Sequence, residues 1–146
     1  MATGKTDLSA TAMCTSFNLR KAARAVTQFY DDALRESGLK STQFSLLAAA
    51  ATAGSLPISL LAAEMAMDRT TLTRNLKPLE TAGLLTVASG EDRRVRRVAV
   101  TPEGEAVLAR AMPAWRRAQT QMIDRLGDER WGEFLRQLQA VRRATD

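Results

Sequence analysis

The 146-residue chain has no histidine, a single cysteine, one tyrosine, two tryptophans and four phenylalanines. Without histidine there is no Ser-His-Asp or Cys-His nucleophile pair, no imidazole general base and no histidine-ligated metal. The lone cysteine, Cys14, excludes an internal disulfide framework and any cysteine-cluster zinc site, so nothing points to secretion. No apolar run reaches the ~18 residues that suggest a membrane span. The first residues, MATGKTDLSATAM, lack the basic-then-apolar order of a signal peptide. A cytoplasmic protein with no membrane partner and no cofactor is therefore expected. Carboxylate chemistry survives this elimination, because Asp31, Asp32 and Glu36 cluster. Adjacent carboxylates on a charged helix face are ordinarily just solvated, so an enzyme is not expected.

Acidic residues are also scarce where basic ones crowd. The net charge is +5, yet residues 1–67 carry six bases against five acids and residues 98–146 eight against seven. Residues 68–97 carry seven against four, and Arg93, Arg94, Arg96 and Arg97 fill four of five consecutive positions. Guanidinium groups so close together repel one another unless an anion lies alongside. A local basic strip of this kind is the electrostatic footprint of nucleic-acid binding. A solvated basic surface would explain the charge alone, so the pattern around it has to decide.

Hydrophobic content of 45% and charged content of 25% are ordinary globular values, and this length suits one domain spanning 1–146. Leu19, Ala23, Val26, Tyr30 and Ala33 recur at helical spacing, predicting a long helix over 13–36 that ends at Gly38. Ser41 or Thr42 is the expected cap of a second helix through Phe44, Leu47 and Ala51, stopped by Gly54. Ser59 is the expected cap of a short third helix carrying Leu61 and Met65. After a break of about three residues, Asp68 caps a fourth helix closed by Gly83. Its inward face is Leu72, Leu76 and Leu79, and its outward face is Thr70, Arg74, Lys77 and Thr81, without an acid.

Residues 84–89 and 95–101 read as two strands joined by Gly90-Glu91-Asp92, with Val98 and Val100 on one side. Thr101 caps a fifth helix with Pro102 at its first position and an apolar seam of Leu108, Met112, Trp115, Met122 and Leu126. Asp128 is the expected cap of a sixth, carrying Trp131, Phe134, Leu135, Leu138 and Val141. The fold class is thus mainly α with a small β-hairpin wing. A winged helix-turn-helix over 40–101 is flanked by terminal helices over 13–38 and 102–145. In such a fold the fourth helix suits a major groove roughly 12 Å wide, and wing arginines suit the narrow minor groove.

The order of elements resembles the multiple antibiotic resistance regulator (MarR) family of bacterial transcription factors over nearly the whole chain. The most specific motif is Asp92-Arg93-Arg94 followed, after five residues, by Val100-Thr101 and Pro102-Glu103-Gly104, with valine where the family pattern has leucine. "TQFSLLAA" at 42–49, "LAAEM" at 61–65 and "MDRTTLTRNLKPLETAGLL" at 67–85 support it. The resemblance implies a homodimer whose terminal helices interlock. It implies a pseudo-palindromic double-stranded DNA operator, held in most cases by a repressor, and release by a small phenolic or lipophilic effector. Asp92 would brace Arg94 at the wing tip, and Arg93 and Arg96 would lie close by. Arg69, Thr70, Thr71, Arg74 and Lys77 would lie at the major groove or its phosphates.

Three further expectations follow. Trp115 and Trp131 are read as dimer core, and Met13, Phe17, Met65 and Met67 as residues that could border an effector pocket, although soft apolar side chains more often fill cores. One branch of the family senses organic peroxides through a cysteine near the start of the first helix, which makes Cys14 a candidate redox thiol. Against it, the chain offers one tyrosine and no resolving cysteine, and Cys14 fits packing beside Phe17. A different class, a winged helix whose arginines meet an acidic protein, is disfavoured by the outward hydroxyls of the fourth helix, which suit base edges better.

Overall fold

The computed structural model describes residues 6–145; residues 1–5 and 146, which the single-domain reading also includes, lie outside the described residues. A 3-10 helix at Ser9–Met13 precedes α1 (Thr15–Leu34). Between them Cys14 is extended, with φ −61° and ψ 122°, so α1 starts two residues later than its periodicity suggests. The Asn18 amide donates to the carbonyls of Ala12 and Cys14, both at 2.9 Å, and holds this corner. At its other end α1 tightens into a 3-10 turn, and Gly38 at φ 76° reverses the chain.

Helix α2 (Ser41–Ala53) is capped from outside itself. Neither Ser41 nor Thr42 is the cap; both lie within the helix. Asp31 Oδ1, on α1, accepts the Ser41 N–H at 2.7 Å, and Gln43 Oε1 accepts the Lys40 N–H at 3.0 Å. A carboxylate from another helix already satisfies the first orphan donor, leaving no work for a local hydroxyl. Two of the clustered carboxylates thereby acquire structural roles: Asp31 also pairs with Lys40 at 3.7 Å, and Asp32 pairs with Arg35 one turn along.

A two-residue strand, β1 (Leu56–Pro57), leads into α3 (Ile58–Glu64). Ser59 is the second residue of α3, not its cap, because Pro57 at φ −60° and ψ 144° already sets the entry. Helix α3 ends with Ala66 at φ 50°, where the Met67 N–H reaches the Ala62 carbonyl at 2.9 Å and the Ala66 N–H the Ala63 carbonyl at 3.1 Å. Helix α4 (Arg69–Thr81) begins as its sequence dictates, with Asp68 accepting the Thr71 N–H at 2.8 Å.

Strands β2 (Leu85–Ser89) and β3 (Arg96–Val100) form the hairpin, and β1 adds to its other edge, giving an antiparallel sheet in the order β1-β3-β2. The hairpin expected from the sequence is therefore a three-stranded sheet, since β1 was too short to show a period of its own. Val98 is fully buried and Val100 packs beside it against the core, the shared face their spacing implies. Thr101 caps α5 (Pro102–Leu126) by accepting the Gly104 N–H at 3.1 Å, and its hydroxyl donates to the Gly83 carbonyl at 2.6 Å. Gly104 is forced: a Cβ there would sit 2.0 Å from the Leu84 carbonyl oxygen. Helix α6 (Asp128–Arg143) has Gly127 at its cap, and Asp128 is its first helical residue, placed to favour the dipole without capping.

The core draws Leu46, Leu47, Leu61, Leu72, Leu76, Leu79, Leu85 and Val98 together with Leu34 and Ala111. Trp115 stacks on Phe44 of its own chain, with ring centroids 5.8 Å apart and planes 19° apart. Helix α6 buries no residue, and Phe17, Val26, Phe134 and Leu135 of α1 and α6 stand exposed.

Candidate nucleic-acid interface

The α3–turn–α4 unit is fixed first by burial. Leu72, Leu76 and Leu79 hold one face of α4 in the core, each at most 2% exposed, so the opposite face is turned to solvent by geometry alone. On it Arg69, Thr70, Arg74 and Lys77 are exposed. Thr71 is half-buried, and its hydroxyl donates to Asp68 Oδ2 at 2.6 Å, while Asp68 Oδ1 takes the Thr71 N–H. These bonds, the hydroxyl first, pull the Asp68 carboxyl below its ordinary range and keep it ionised at the positive end of the helix. Thr71 therefore shapes the start of α4, and Thr70 is the free hydroxyl beside it. Thr73 turns its own hydroxyl back to the Arg69 carbonyl at 2.8 Å.

The wing tip is organised through its main chain. Asp92 Oδ1 accepts the Arg94 N–H at 2.9 Å, the Val95 N–H reaches the Asp92 carbonyl at 3.0 Å, and Gly90 closes the hairpin on Val95 at 3.2 Å. The bracing of Arg94 by Asp92 is thus a backbone bond, which leaves the guanidinium free to project. Arg93 and Arg94 are exposed. Arg96 is exposed as well, with a 3.4 Å contact to the Val87 carbonyl, whereas Arg97 turns to the other side and binds Ser55. Among the described residues the three ion pairs, Arg35–Asp32, Lys40–Asp31 and Arg136–Glu133, all lie outside the basic strip. The bases of α4 and the wing are thus left without a counter-ion of their own, which suits them to meet a polyanion.

A second feature adjoins the turn. A cleft of about 360 Å³ lies between α1, α2, α5 and the α3–α4 turn. Its walls are Val26, Phe44, Met65, Met67 and Trp115, and its polar lining is the hydroxyls of Thr27, Tyr30, Ser41, Thr42 and Ser45. Met65 and Met67 border it as the sequence suggested, but Met13 and Phe17 do not; they stand 84% and 52% exposed. Burial raises the Tyr30 phenol above its ordinary value, and its hydroxyl donates to Gln119 Oε1 at 2.6 Å. The amide of Asn75, on α4, lies 3.6 Å from the Met67 sulfur, linking the cleft wall to the helix that carries Arg74. Sequence reading missed this hydroxyl set, although Thr27 with Tyr30 and Thr42 with Ser45 are each three apart, the spacing of one helix face. Cys14 is exposed and lies outside the cleft lining, and the protomer does not bury it against Phe17.

A helix-turn-helix with a basic outward face, followed by a hairpin tipped with unpaired arginines, defines a winged-helix DNA-binding protein. Comparison with known proteins makes the class specific. The MarR family model matches residues 37–95, the stretch from the end of α1 to the wing. The transcriptional regulator MosR of M. tuberculosis, in complex with DNA, is 40% identical over 90% of this chain and 96% of its own, with a TM-score of 0.83. The uncharacterised HTH-type transcriptional regulator YwoH of Bacillus subtilis is 30% identical over 87 residues, 60% of this chain and 64% of its own length. A mutant of E. coli MarR complexed with operator DNA shares the fold at 17% identity over 93% of this chain and 99% of its own, TM-score 0.82. The chain belongs to the MarR family and is a DNA-binding transcription regulator.

Proposed function

We propose that the protein acts in the cytoplasm as a homodimeric repressor that holds a pseudo-palindromic operator and lets it go when a small molecule enters the cleft. The observation that carries the DNA reading is the concentration of bases on α4 and the wing, exposed and without an ion pair among the described residues. In this reading Arg69, Thr70, Arg74 and Lys77 meet the major groove or its phosphates, Thr71 shapes the helix start, and Arg94 enters the minor groove flanked by Arg93 and Arg96. The dimer reading rests on the large apolar side chains that α1 and α6 leave exposed, Phe17, Val26, Phe134 and Leu135.

The effector reading rests on the cleft. Its lining holds hydroxyls and apolar surface with no carboxylate, ammonium or guanidinium, a chemistry suited to an uncharged phenolic or lipophilic molecule. Such a molecule would press on Met65 and Met67, on either side of Ala66, and so on the start of α4.

Retention of sheared genomic DNA, followed by sequencing of the fragments held, tests the central reading. Arg94→Ala is expected to weaken binding to all sites and to flatten the salt dependence by about one unit per subunit. Arg74→Ala is expected to cost roughly 1–3 kcal/mol and to relax preference at one symmetric pair of positions. Equal losses on specific and random DNA for both variants would refute the division between grooves. Retention of acidic proteins and no DNA would favour the interaction-module reading. Cys14→Ser is expected to bind and release DNA like the parent; release of the parent alone by cumene hydroperoxide would move regulation to the thiol.

A further inference from the structure

Of the four crowded arginines, Arg97 is the one whose guanidinium makes two hydrogen bonds to a single distant residue. Its Nε donates to Ser55 Oγ at 3.0 Å and its Nη2 to the Ser55 carbonyl at 2.5 Å, across 42 residues of sequence. The position explains the need. Arg97 stands opposite Pro57 in the pairing of β3 with β1, and proline brings no N–H to that ladder. The side chain thus adds a second link between β3 and the residue before β1, next to a ladder that proline shortens, and β1 is only two residues long. The stem of Arg97 also crosses Gly90, where β2 gives way to the wing turn: a Cβ on Gly90 would lie 2.9 Å from Arg97 Cδ. One side chain therefore touches the base of the wing turn and the turn that follows α2.

We propose that Arg97 is a positioning residue: clamped on Ser55, it fixes the angle at which the wing presents Arg94 to DNA, and it contacts no phosphate itself. Reaching a phosphate would break both bonds to Ser55, whereas Arg96, next door and exposed, would give up one 3.4 Å contact to the Val87 carbonyl. The proposal rests on the reading that Arg94 meets DNA, and a double-mutant cycle keeps the two separable. Arg97→Met in the full-length protein is expected to weaken operator binding by about 10-fold, but by less than ~2-fold when Arg94→Ala is already present. The slope of binding against salt should fall by about one unit per subunit for Arg94→Ala and stay unchanged for Arg97→Met in the Arg94→Ala background.

Gly90→Ala removes no charge and keeps an accessible backbone. It should weaken binding by displacing the Arg97 stem, and have no effect in an Arg97→Ala background, which carries no stem beyond Cβ. Thermal unfolding of each variant shows whether the fold is retained, and a merely structural loss would not depend on Arg94. Independent losses that multiply, each with its own drop in salt slope, would overturn the proposal and place Arg97 on a phosphate. Unchanged binding by Arg97→Met alongside a harmful Arg94→Ala would overturn the strut and leave the Arg94 assignment standing. A harmless Arg94→Ala would overturn both.

Discussion

The stretch from α2 to β3 and the two end helices, α1 and α6, use the same apolar residue types to opposite ends. In the first, Leu46, Leu47, Leu61, Leu72, Leu76, Leu79, Leu85 and Val98 are each at most 2% exposed. In the second, Phe17, Val26, Phe134 and Leu135 remain between 39% and 52% exposed, and α6 buries nothing. A winged helix closes its core because three short helices and a sheet cover one another. Helices α1 and α6 pack on α5 along one side only, and the apolar side chains on their other side find nothing within one chain to cover them. The reading part thus has a filled core in one protomer, while the end helices leave large apolar side chains in water, which is the basis of the proposed dimer.

The sharpest way to break this contrast is to truncate one residue on each side. Leu72→Ala leaves a cavity in a filled core and is expected to cost about 3 kcal/mol of unfolding free energy, read by urea denaturation. Phe134→Ala should leave the reading part folded and instead weaken the proposed dimer by about 2 kcal/mol, some 30-fold in dissociation constant, read by sedimentation over a dilution series. A parent that sediments at the mass of one protomer at micromolar concentration would remove the contrast altogether.

Next in size is the joint between the two regions. Asp31→Ala deletes the cap that α1 lends to α2 and is expected to cost about 1 kcal/mol in unfolding free energy. The Ser41 N–H, foremost, holds the Asp31 carboxyl below its ordinary value, with help from Lys40. A carboxyl lowered in the folded state stabilises above its unfolded pKa, about 3.9, and the contribution fades as pH falls through the lower folded value. Urea midpoints of the parent should therefore drop more steeply below about pH 4 than those of Asp31→Asn. Parallel curves would mean that the cap is not coupled to ionisation.

The smallest expected effect lies in the turn before α4. Ala66 occupies the left-handed region at φ 50°, which costs an L-residue roughly 1–2 kcal/mol. Ala66→Gly should stabilise the protein by only about 0.5 kcal/mol, since glycine loses more freedom on folding. A loss of stability would show that the methyl group packs in a way the backbone strain does not reveal.

Much of this was legible beforehand, and for one reason. The caps at Asp68 and Thr101, the buried row Leu72-Leu76-Leu79, the glycine stops and the basic strip from Arg69 to Arg97 depend on neighbours three or four residues apart or on charge counted along the chain. Those relations exist in the unfolded polymer and survive folding. What tertiary structure alone decided involves partners far apart in sequence: Asp31 capping α2, β1 joining the hairpin, Trp115 stacking on Phe44, and the hydroxyl-lined cleft. The four wing arginines show the division most plainly. Sequence placed them together on alternating sides of a strand, and the fold, by setting Pro57 opposite Arg97 and Ser55 within its reach, decided which of them finds partners inside the protein.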